Sequence, residues 1–249
     1  EFPAVAMIVA TEDDIIIYDG DDPDLPMWMI FESSDTGQPY DTYYLGRGSG
    51  FSGFHPSITS VAMLNGILVV GKDGDSSNYA EAYTEIRFIS DSALHRDSGN
   101  SVDLGNAISG RNGSAGGRIT NSSYGSIADH DINDLAMTVL PNAPIDDTTG
   151  LPIPTIAVAT DGGVSVIKDD GSVVQKEVTD GVTDIAKVEF TNDGFLIVNR
   201  NNYHYFVITT IEGVESTSHP SGFTHNINYF RNDGTNFPGP LSPDAVSYT

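Results

Sequence analysis

A strand-turn-strand pattern occurs twice in this sequence and limits the fold more than any other feature. Residues 3–18 read PAVAMIVATEDDIIIY and residues 154–167 read PTIAVATDGGVSVI, so both contain an apolar run ending in Val-Ala-Thr, an acidic turn and a second apolar run. The Asp-Gly-Gly of residues 161–163 can adopt the positive φ values of a tight hairpin turn, and the β-branched residues on both sides favour strands. The sequence therefore predicts two copies of one β-hairpin.

A second motif, apolar-polar-polar-apolar-Ala, begins at Ile58, Ile132 and Val182, and each copy precedes a further predicted strand. With the strands that follow, the pattern predicts four-stranded antiparallel meanders. The predicted repeat units span about residues 1–50, 58–131, 132–181 and 182–243. Residues 244–249 are predicted to supply the leading strand that the first unit lacks.

Repeated meanders of about 40–50 residues are typical of β-propeller blades. We therefore predict one all-β domain over residues 1–249, a β-propeller of four or five blades. An open repeated β-meander or a sandwich is the alternative, but a sandwich does not predict the repeated leading motif. The second unit is too long for one blade, and its residues 90–131, rich in Gly, Ser and Asn, are predicted to form a long surface loop. The chain opens at Glu1 inside a predicted strand, which indicates processing or a longer parent polypeptide.

The charge and composition exclude several classes of function. Only 11 Lys and Arg stand against 35 Asp and Glu, a net charge of −24, so the phosphates of a nucleic acid would be repelled. Such a surface stays soluble in salt-rich water, which fits a marine setting. The absence of cysteine excludes disulfides and thiolate metal sites. No apolar stretch reaches the ~18–20 residues that a bilayer span needs, so membrane insertion is not expected.

Clusters of aspartate are candidate calcium sites, because Ca²⁺ takes six to eight hard oxygen ligands and Asp-x-Asp spacing can bring carboxylates together. The candidate ligands are Asp19, Asp21, Asp22, Asp24, Asp129, Asp131 and Asp134. None of these clusters completes an EF-hand loop: Asp134 stands where the turn glycine belongs and Leu140 where the bidentate Glu belongs. The alternative is that these aspartates form solvated turns. No other cofactor is expected.

Aromatic and cationic residues collect in a Gly/Ser-rich stretch between the first two units, where sugar rings could stack on exposed aromatic faces. The candidate ligand-binding residues are Tyr40, Tyr43, Tyr44, Arg47, Phe54 and His55. The alternative is that these rings fill the gap between neighbouring blades.

No catalytic motif appears in the chain. The six histidines have no metal-ligand spacing, and no Gly-x-Ser-x-Gly nucleophile elbow occurs. We therefore expect a non-enzymatic recognition or structural module. The alternative from another class is a secreted glycosidase or lyase, with paired carboxylates at the channel of the propeller. A third reading is a microbial extracellular surface protein with the same fold.

Residues 132–174 resemble a segment of large virion-associated proteins of marine bacteriophages. The resemblance lies in the runs LAMTVLPNAP (residues 135–144) and IAVATDGGVSVIKDDG (residues 156–171). In these relatives the propeller-like part often neighbours a laminin-G or concanavalin-like lectin domain in a tail or fibre protein. The resemblance implies a structural or adhesion role on the virion, outside the cell, with other virion proteins, further copies of itself and a host-surface glycan or protein as partners.

Overall fold

The computed structural model consists of β-strands joined by turns and loops, with a short 3₁₀ helix at Ile108–Gly110. The described residues are 3–12, 14–32, 44–45, 57–73, 82–96, 98, 101–104, 107–112, 118–120, 125–177, 185–200, 205–209, 211 and 230–231. Within these ranges, no helix has the length and apolar character needed to cross a lipid bilayer.

The strands form four antiparallel sheets, each in chain order. The first sheet contains β1 (Ala6–Ala10), β2 (Asp14–Asp19) and β3 (Met27–Glu32). The second contains β4 (Ile58–Leu64), β5 (Ile67–Lys72), β6 (Tyr83–Arg87), β7 (Ser92–Arg96), β8 (Ser101–Leu104) and β9 (Arg118–Thr120). The third contains β10 (Ile132–Thr138), β11 (Thr155–Thr160), β12 (Gly163–Ile167) and β13 (Val173–Glu177). The fourth contains β14 (Ile185–Phe190), β15 (Leu196–Arg200), β16 (Tyr205–Thr209) and β17 (Phe230–Arg231).

The predicted hairpin copies are confirmed. Strands β1 and β2 pair with Val9 opposite Ile16, and β11 and β12 pair with Val158 opposite Ser165. Both hairpins are followed by one more antiparallel strand, β3 in the first sheet and β13 in the third. The repeated sequence therefore encodes a repeated position in the fold.

The leading strands β4, β10 and β14 also repeat, and the described part of the third begins at Ile185. Each leading strand has a register shift just after its first residue, at Ile58, Ile132 and Ile185 respectively. This places Ile185 in line with Ile58 and Ile132. The predicted start of this unit at Val182 lies outside the described residues.

The prediction that residues 90–131 form a long surface loop is wrong. This stretch contains β7, β8 and β9, which extend the second sheet to six strands. The strand pattern is hidden because β7 buries two polar residues, His95 and Arg96, each only 1% exposed. Each has a carbonyl partner: a ring nitrogen of His95 lies 3.1 Å from Tyr44 O, and Arg96 donates to Gly125 O at 2.9 Å.

The sheets pack face to face in the manner of propeller blades. The leading strand β10 lies against β4 on one side and β14 on the other. An apolar cluster fills each of the three junctions between consecutive sheets. The cluster between the first and second sheets contains Ile15, Phe31 and Leu68. The cluster between the second and third contains Val69, Leu135 and Ile156, and the cluster between the third and fourth contains Ala157, Val166 and Val188. Strand β11 is buried on both faces because it contributes to two of these clusters. The predicted all-β propeller architecture is confirmed, while residues 244–249 lie outside the described residues.

Polar side chains also join the leading strands. At the junction of β4 and β10, the hydroxyl of Thr59 donates to Ile132 O at 2.6 Å, and Ser60 Oγ accepts the N–H of Leu135 at 3.1 Å. Two consecutive side chains on β4 therefore pair with the backbone of β10. We call this pair of bonds the clasp.

The clasp recurs one junction later, between β10 and β14. The amide of Asn133 donates to Ile185 O at 3.1 Å, and Asp134 Oδ2 accepts the N–H of Val188 at 3.1 Å. Asp134 Oδ1 also accepts from the Ser60 hydroxyl at 3.1 Å, so its carboxylate joins β10 to both neighbouring leading strands, β4 and β14. Asp134 is thus a structural residue of the clasp.

Candidate functional site

A cleft of about 290 Å³ lies between the second and third sheets, at the end opposite the clasp. Its walls come from the β4–β5 turn, strand β6 with the β6–β7 turn, the β10–β11 loop and the β12–β13 turn. We call it the inter-sheet cleft. Turns of two neighbouring sheets converge there because antiparallel meanders bring every second connection to the same end.

The β10–β11 loop, residues 139–154, is held over the cleft by its own hydrogen bonds. Asp146 N donates to Leu151 O at 2.9 Å, Ile153 N donates to Pro144 O at 2.9 Å, and Asp146 Oδ1 accepts the N–H of Thr148 at 2.7 Å. Asn65, in the β4–β5 turn, donates its side-chain amide to Pro152 O at 2.7 Å. The loop is therefore anchored to the neighbouring sheet.

Two charged residues, Glu85 and Arg87, line the inner wall, and the buried Tyr83 lies behind them. Glu85 is 3% exposed, accepts a hydrogen bond from the hydroxyl of Tyr83 at 3.1 Å and pairs with the guanidinium of Arg87 at 2.6 Å. Burial, and then the negative charge of Glu85, raise the pKa of Tyr83 well above its usual value. Tyr83 therefore stays a neutral donor at physiological pH. The side chain of Arg87 is 43% exposed, so it extends from the buried Glu85 to the protein surface.

Carboxylates occupy the rim of the cleft. Backbone N–H donors of Thr148 and Thr149 lower the pKa of Asp146, and the hydroxyl of Ser172 lowers the pKa of Asp170. Asp169 lines the cleft beside Asp170, and exposed aliphatic side chains stand next to these acids: Ile89 is 51% and Leu151 42% exposed. The cleft thus combines ionised carboxylates with an accessible apolar surface.

The predicted acidic site at residues 129–134 is divided in two by the structure. Among the described residues, Asp129, His130 and Asp131 place one ligand atom each within 4.8 Å of one another. Asp134 does not join them because it forms the clasp. Two carboxylates and an imidazole suit a transition metal better than calcium, which favours oxygen. Calcium at Asp129 and Asp131 stays a prediction, tested by comparing thermal unfolding in calcium and in chelator.

The Asp131 carboxylate lies in an electrostatically unfavourable place. Its Oδ1 is buried and has no hydrogen-bond partner among the described residues. Burial raises the pKa of Asp131 to about 6; His130 opposes this shift, and the charges of Asp129, Asp73 and Asp161 add to it. The folded state therefore favours the protonated form of Asp131 more than the unfolded chain does.

We expect Asp131→Asn to stabilise the protein at pH 7 and to have little effect at pH 4. Because the folded-state pKa lies above the unfolded value, this group's stabilising contribution is complete below about pH 4 and is lost as pH rises through about 6. Thermal unfolding of both proteins across this range measures the difference. Asp146→Asn is the control with the opposite sign, because its pKa is lowered. An equal effect of Asp131→Asn at both pH values would contradict the assignment.

The second predicted calcium cluster consists of turn residues. Asp21 Oδ2 accepts a hydrogen bond from the N–H of Ala4 at 2.6 Å. Asp19 Oδ1 accepts one from the N–H of Asp21 at 3.0 Å, and Asp22 Oδ1 accepts one from the N–H of Asp24 at 2.9 Å. Three of the four carboxylates thus bond to backbone donors, which is the turn chemistry that we weighed as the alternative.

Of the predicted ligand-binding residues, the structure describes Tyr44. This side chain is fully buried, stacks on Phe31 with ring centroids 6.2 Å apart, and belongs to the cluster between the first and second sheets. Burial and the nearby Asp91 and Asp103 raise its pKa to about 12. Tyr44 is therefore a packing residue, and not an exposed binding ring. The others, Tyr40, Tyr43, Arg47, Phe54 and His55, lie outside the described residues.

Our sequence analysis did not identify the inter-sheet cleft. One signal was present: Tyr83, Glu85 and Arg87 alternate along a predicted strand, so they share one face. The facing wall of the cleft comes from a later part of the chain, residues 146–171, which includes Leu151 and Asp170. Only the packing of the two sheets brings them together.

No protein-family model matches the chain, and no curated protein matches it. Among solved structures, it is similar to the β-propeller domain of Cps50 (Swd1) from Myceliophteria thermophila, with 11% identity and a TM-score of 0.37 over 92% of this chain and 69% of that one. Hsv2 from Kluyveromyces lactis shows 11% identity and a TM-score of 0.28 over 96% and 80%.

The extracellular domain of a putative one-component system from B. thetaiotaomicron shows 11% identity and a TM-score of 0.28 over 86% of this chain. This chain spans 34% of that domain's length. At such TM-scores the likeness is only general. The assignment of a propeller architecture therefore rests on the strand order and the sheet contacts described above.

Proposed function

We propose that this protein is a non-enzymatic recognition module that binds its target at the inter-sheet cleft. The observation that carries the proposal is the cleft itself, where an ordered loop holds Leu151 exposed beside the carboxylates of Asp146, Asp169 and Asp170. A concave site with accessible apolar surface and a few fixed polar groups is the usual form of a binding site. The exposed aliphatic side chains of Ile89 and Leu151 supply the accessible apolar surface of this site.

The leading strands support a binding role over catalysis. A glycosidase or lyase at the channel would need converging carboxylates on these strands. In the described residues, β4, β10 and β14 are mainly apolar, and the Asp134 carboxylate is occupied by Ser60, Val188 and the ammonium group of Lys187 at 3.3 Å. The side chains of the leading strands thus serve to pack the sheets together.

The setting we propose is the tail or fibre of a marine phage. It rests on the resemblance of residues 132–174 to virion-associated proteins, and the net charge of −24 suits a salt-rich medium. In this setting further copies of the chain and other virion proteins are its assembly partners, and a host-surface glycan or protein is its target.

A binding screen tests the function. The purified protein is incubated with bacterial surface polysaccharides and surface proteins, and both retention and release of shortened sugars are recorded. Retention without cleavage supports a recognition module, whereas released oligosaccharide would overturn it in favour of an enzyme.

Two matched variants test the location of the site. Ile89 lines the cleft and is 51% exposed, whereas Val5, which precedes β1, is 58% exposed. We expect Ile89→Asn to weaken retention about tenfold, equal to about 1.4 kcal/mol, and Val5→Asn to leave it unchanged. Equal effects of the two substitutions would place the binding surface elsewhere.

A further inference from the structure

We infer that the inter-sheet cleft binds an extended protein segment in which an aliphatic side chain is flanked by lysine or arginine. The inference rests on the proposed function and names the class of its ligand. It follows from three features of the cleft: the kind of apolar surface, the sign of the charge and the size.

The apolar surface is aliphatic. The described residues that line the cleft include Ile67, Ile89, Leu151, Ile153, Ile156 and Ile167, and none of the described lining residues is aromatic. Sugar rings are recognised by stacking on aromatic faces, since these provide a large flat surface with a polar edge. A leucine, isoleucine or valine side chain fits this aliphatic wall better than a sugar ring does.

The charge selects against acidic ligands. Among the described residues, three cations line the cleft. Arg87 is compensated by Glu85 at 2.6 Å, and Lys168 lies close enough to Asp170 to help lower the pKa of that carboxyl. Arg96 is only 1% exposed and donates to Gly125 O. The rim carboxylates of Asp146, Asp169 and Asp170 face solvent on a chain whose net charge is −24. Such a field attracts cations and repels anionic polymers. A lysine or arginine next to the aliphatic side chain of the bound segment would therefore contact the carboxylates of the rim.

The size suits a short segment and not a folded surface. A cleft of about 290 Å³ is at the lower end of ligand pockets. The hydrogen bonds within residues 140–154, and the bond from Asn65 to Pro152 O, fix the loop before binding. Little ordering of the protein is then needed, so even a small apolar contact can give measurable affinity.

Fluorescence anisotropy with defined peptides tests the inference. The probe is a labelled peptide that alternates leucine with lysine, and the comparison peptides replace every lysine with glutamate or every leucine with serine. We expect the Leu/Lys peptide to bind at least tenfold more tightly than either comparison peptide, and its binding to weaken as salt is added. Equal binding of the lysine and glutamate peptides would overturn the inference.

Charge-matched variants locate the contact. The triple substitution Asp146→Asn, Asp169→Asn and Asp170→Asn neutralises the rim, and Asp19→Asn, Asp22→Asn and Asp24→Asn remove the same charge from the β2–β3 turn. We expect at least a tenfold loss of peptide binding in the first variant and less than a threefold loss in the second. Equal losses would show attraction by the overall charge alone and would overturn the inference.

A second pair of variants tests the apolar contact, since Leu151 and Leu25 are both 42% exposed. We expect Leu151→Ser, and not Leu25→Ser, to weaken binding of the Leu/Lys peptide about tenfold. The protein could instead bind no peptide but retain a neutral polysaccharide, with Leu151→Ser abolishing that retention. This result would leave the recognition function in place and overturn the inference. Cleavage of a bound ligand would overturn the proposed function instead.

Discussion

Phe31→Ala is expected to lower the free energy of unfolding by about 3–5 kcal/mol, the range for removing a buried phenylalanine ring. Phe31 is fully buried between the first and second sheets. Its ring contacts those of Tyr44 and Phe88, with centroids 6.2 and 6.1 Å away, and the Arg111 guanidinium lies 5.5 Å above it.

Urea unfolding followed by fluorescence measures this effect. Trp28 is the single tryptophan of the chain and lies 6.0 Å from Phe88, so its emission reports on the same junction. Met27→Ala is the control, because Met27 begins the same strand and is 58% exposed. We expect the control to change the unfolding free energy by less than about 0.5 kcal/mol. A loss below about 1 kcal/mol for Phe31→Ala would show that the first sheet is not held by this cluster.

Asp134→Ala is expected to cost about 2–3 kcal/mol of unfolding free energy, because hydrogen bonds to a charged group are lost and a backbone donor is left without an acceptor. The carboxylate, only 14% exposed, accepts from Ser60, Val188 and Lys187. Alanine would remove these three contacts, which join β10 to β4 and to β14.

Two further variants separate the contributions to this effect. Asp134→Asn keeps an oxygen for the N–H of Val188 but loses the charge, so we expect it to cost less than alanine does. Asp24→Ala, in the exposed turn between β2 and β3, is the control for loss of a carboxylate. If Asp134→Ala unfolds at the same urea concentration as Asp24→Ala, the clasp does not stabilise the fold.

The clasp also distinguishes the fourth sheet from its neighbours. The clasp positions are Thr59 and Ser60 in β4, and Asn133 and Asp134 in β10. In β14 the corresponding residues are Ala186 and Lys187. Alanine has no side-chain donor and lysine has no acceptor, so β14 cannot form the same pair of bonds with a further strand.

The repeated architecture was predictable because the hairpins and turns are encoded locally. The β-branched runs around Asp161 and around Glu12 favour strands whatever their neighbours. In the β4–β5 turn, Asn65 and Gly66 adopt φ values of 52° and 77°, as a tight hairpin requires. These features depend on a few adjacent residues.

Two features of the fold could not be predicted in this way. Strand β7 buries His95 and Arg96, whose polarity gave the appearance of a surface loop. Their burial depends on carbonyl oxygens of Tyr44 and Gly125, which lie far away in sequence. The register of the third leading strand depends on its pairing with β15, which places Ile185 opposite Arg200.

The sequence by itself determined the strand order within each meander, because strand propensity and turn chemistry act over a few residues. Only the tertiary structure decided how the sheets meet, and with this the burial of Tyr44, the separation of Asp134 from Asp131, and the joining of Glu85 to Leu151 in one cleft. Each of these depends on contacts between residues far apart in the chain. Such contacts form only when the apolar faces of neighbouring sheets pack together, since burying those faces is what drives the sheets into contact.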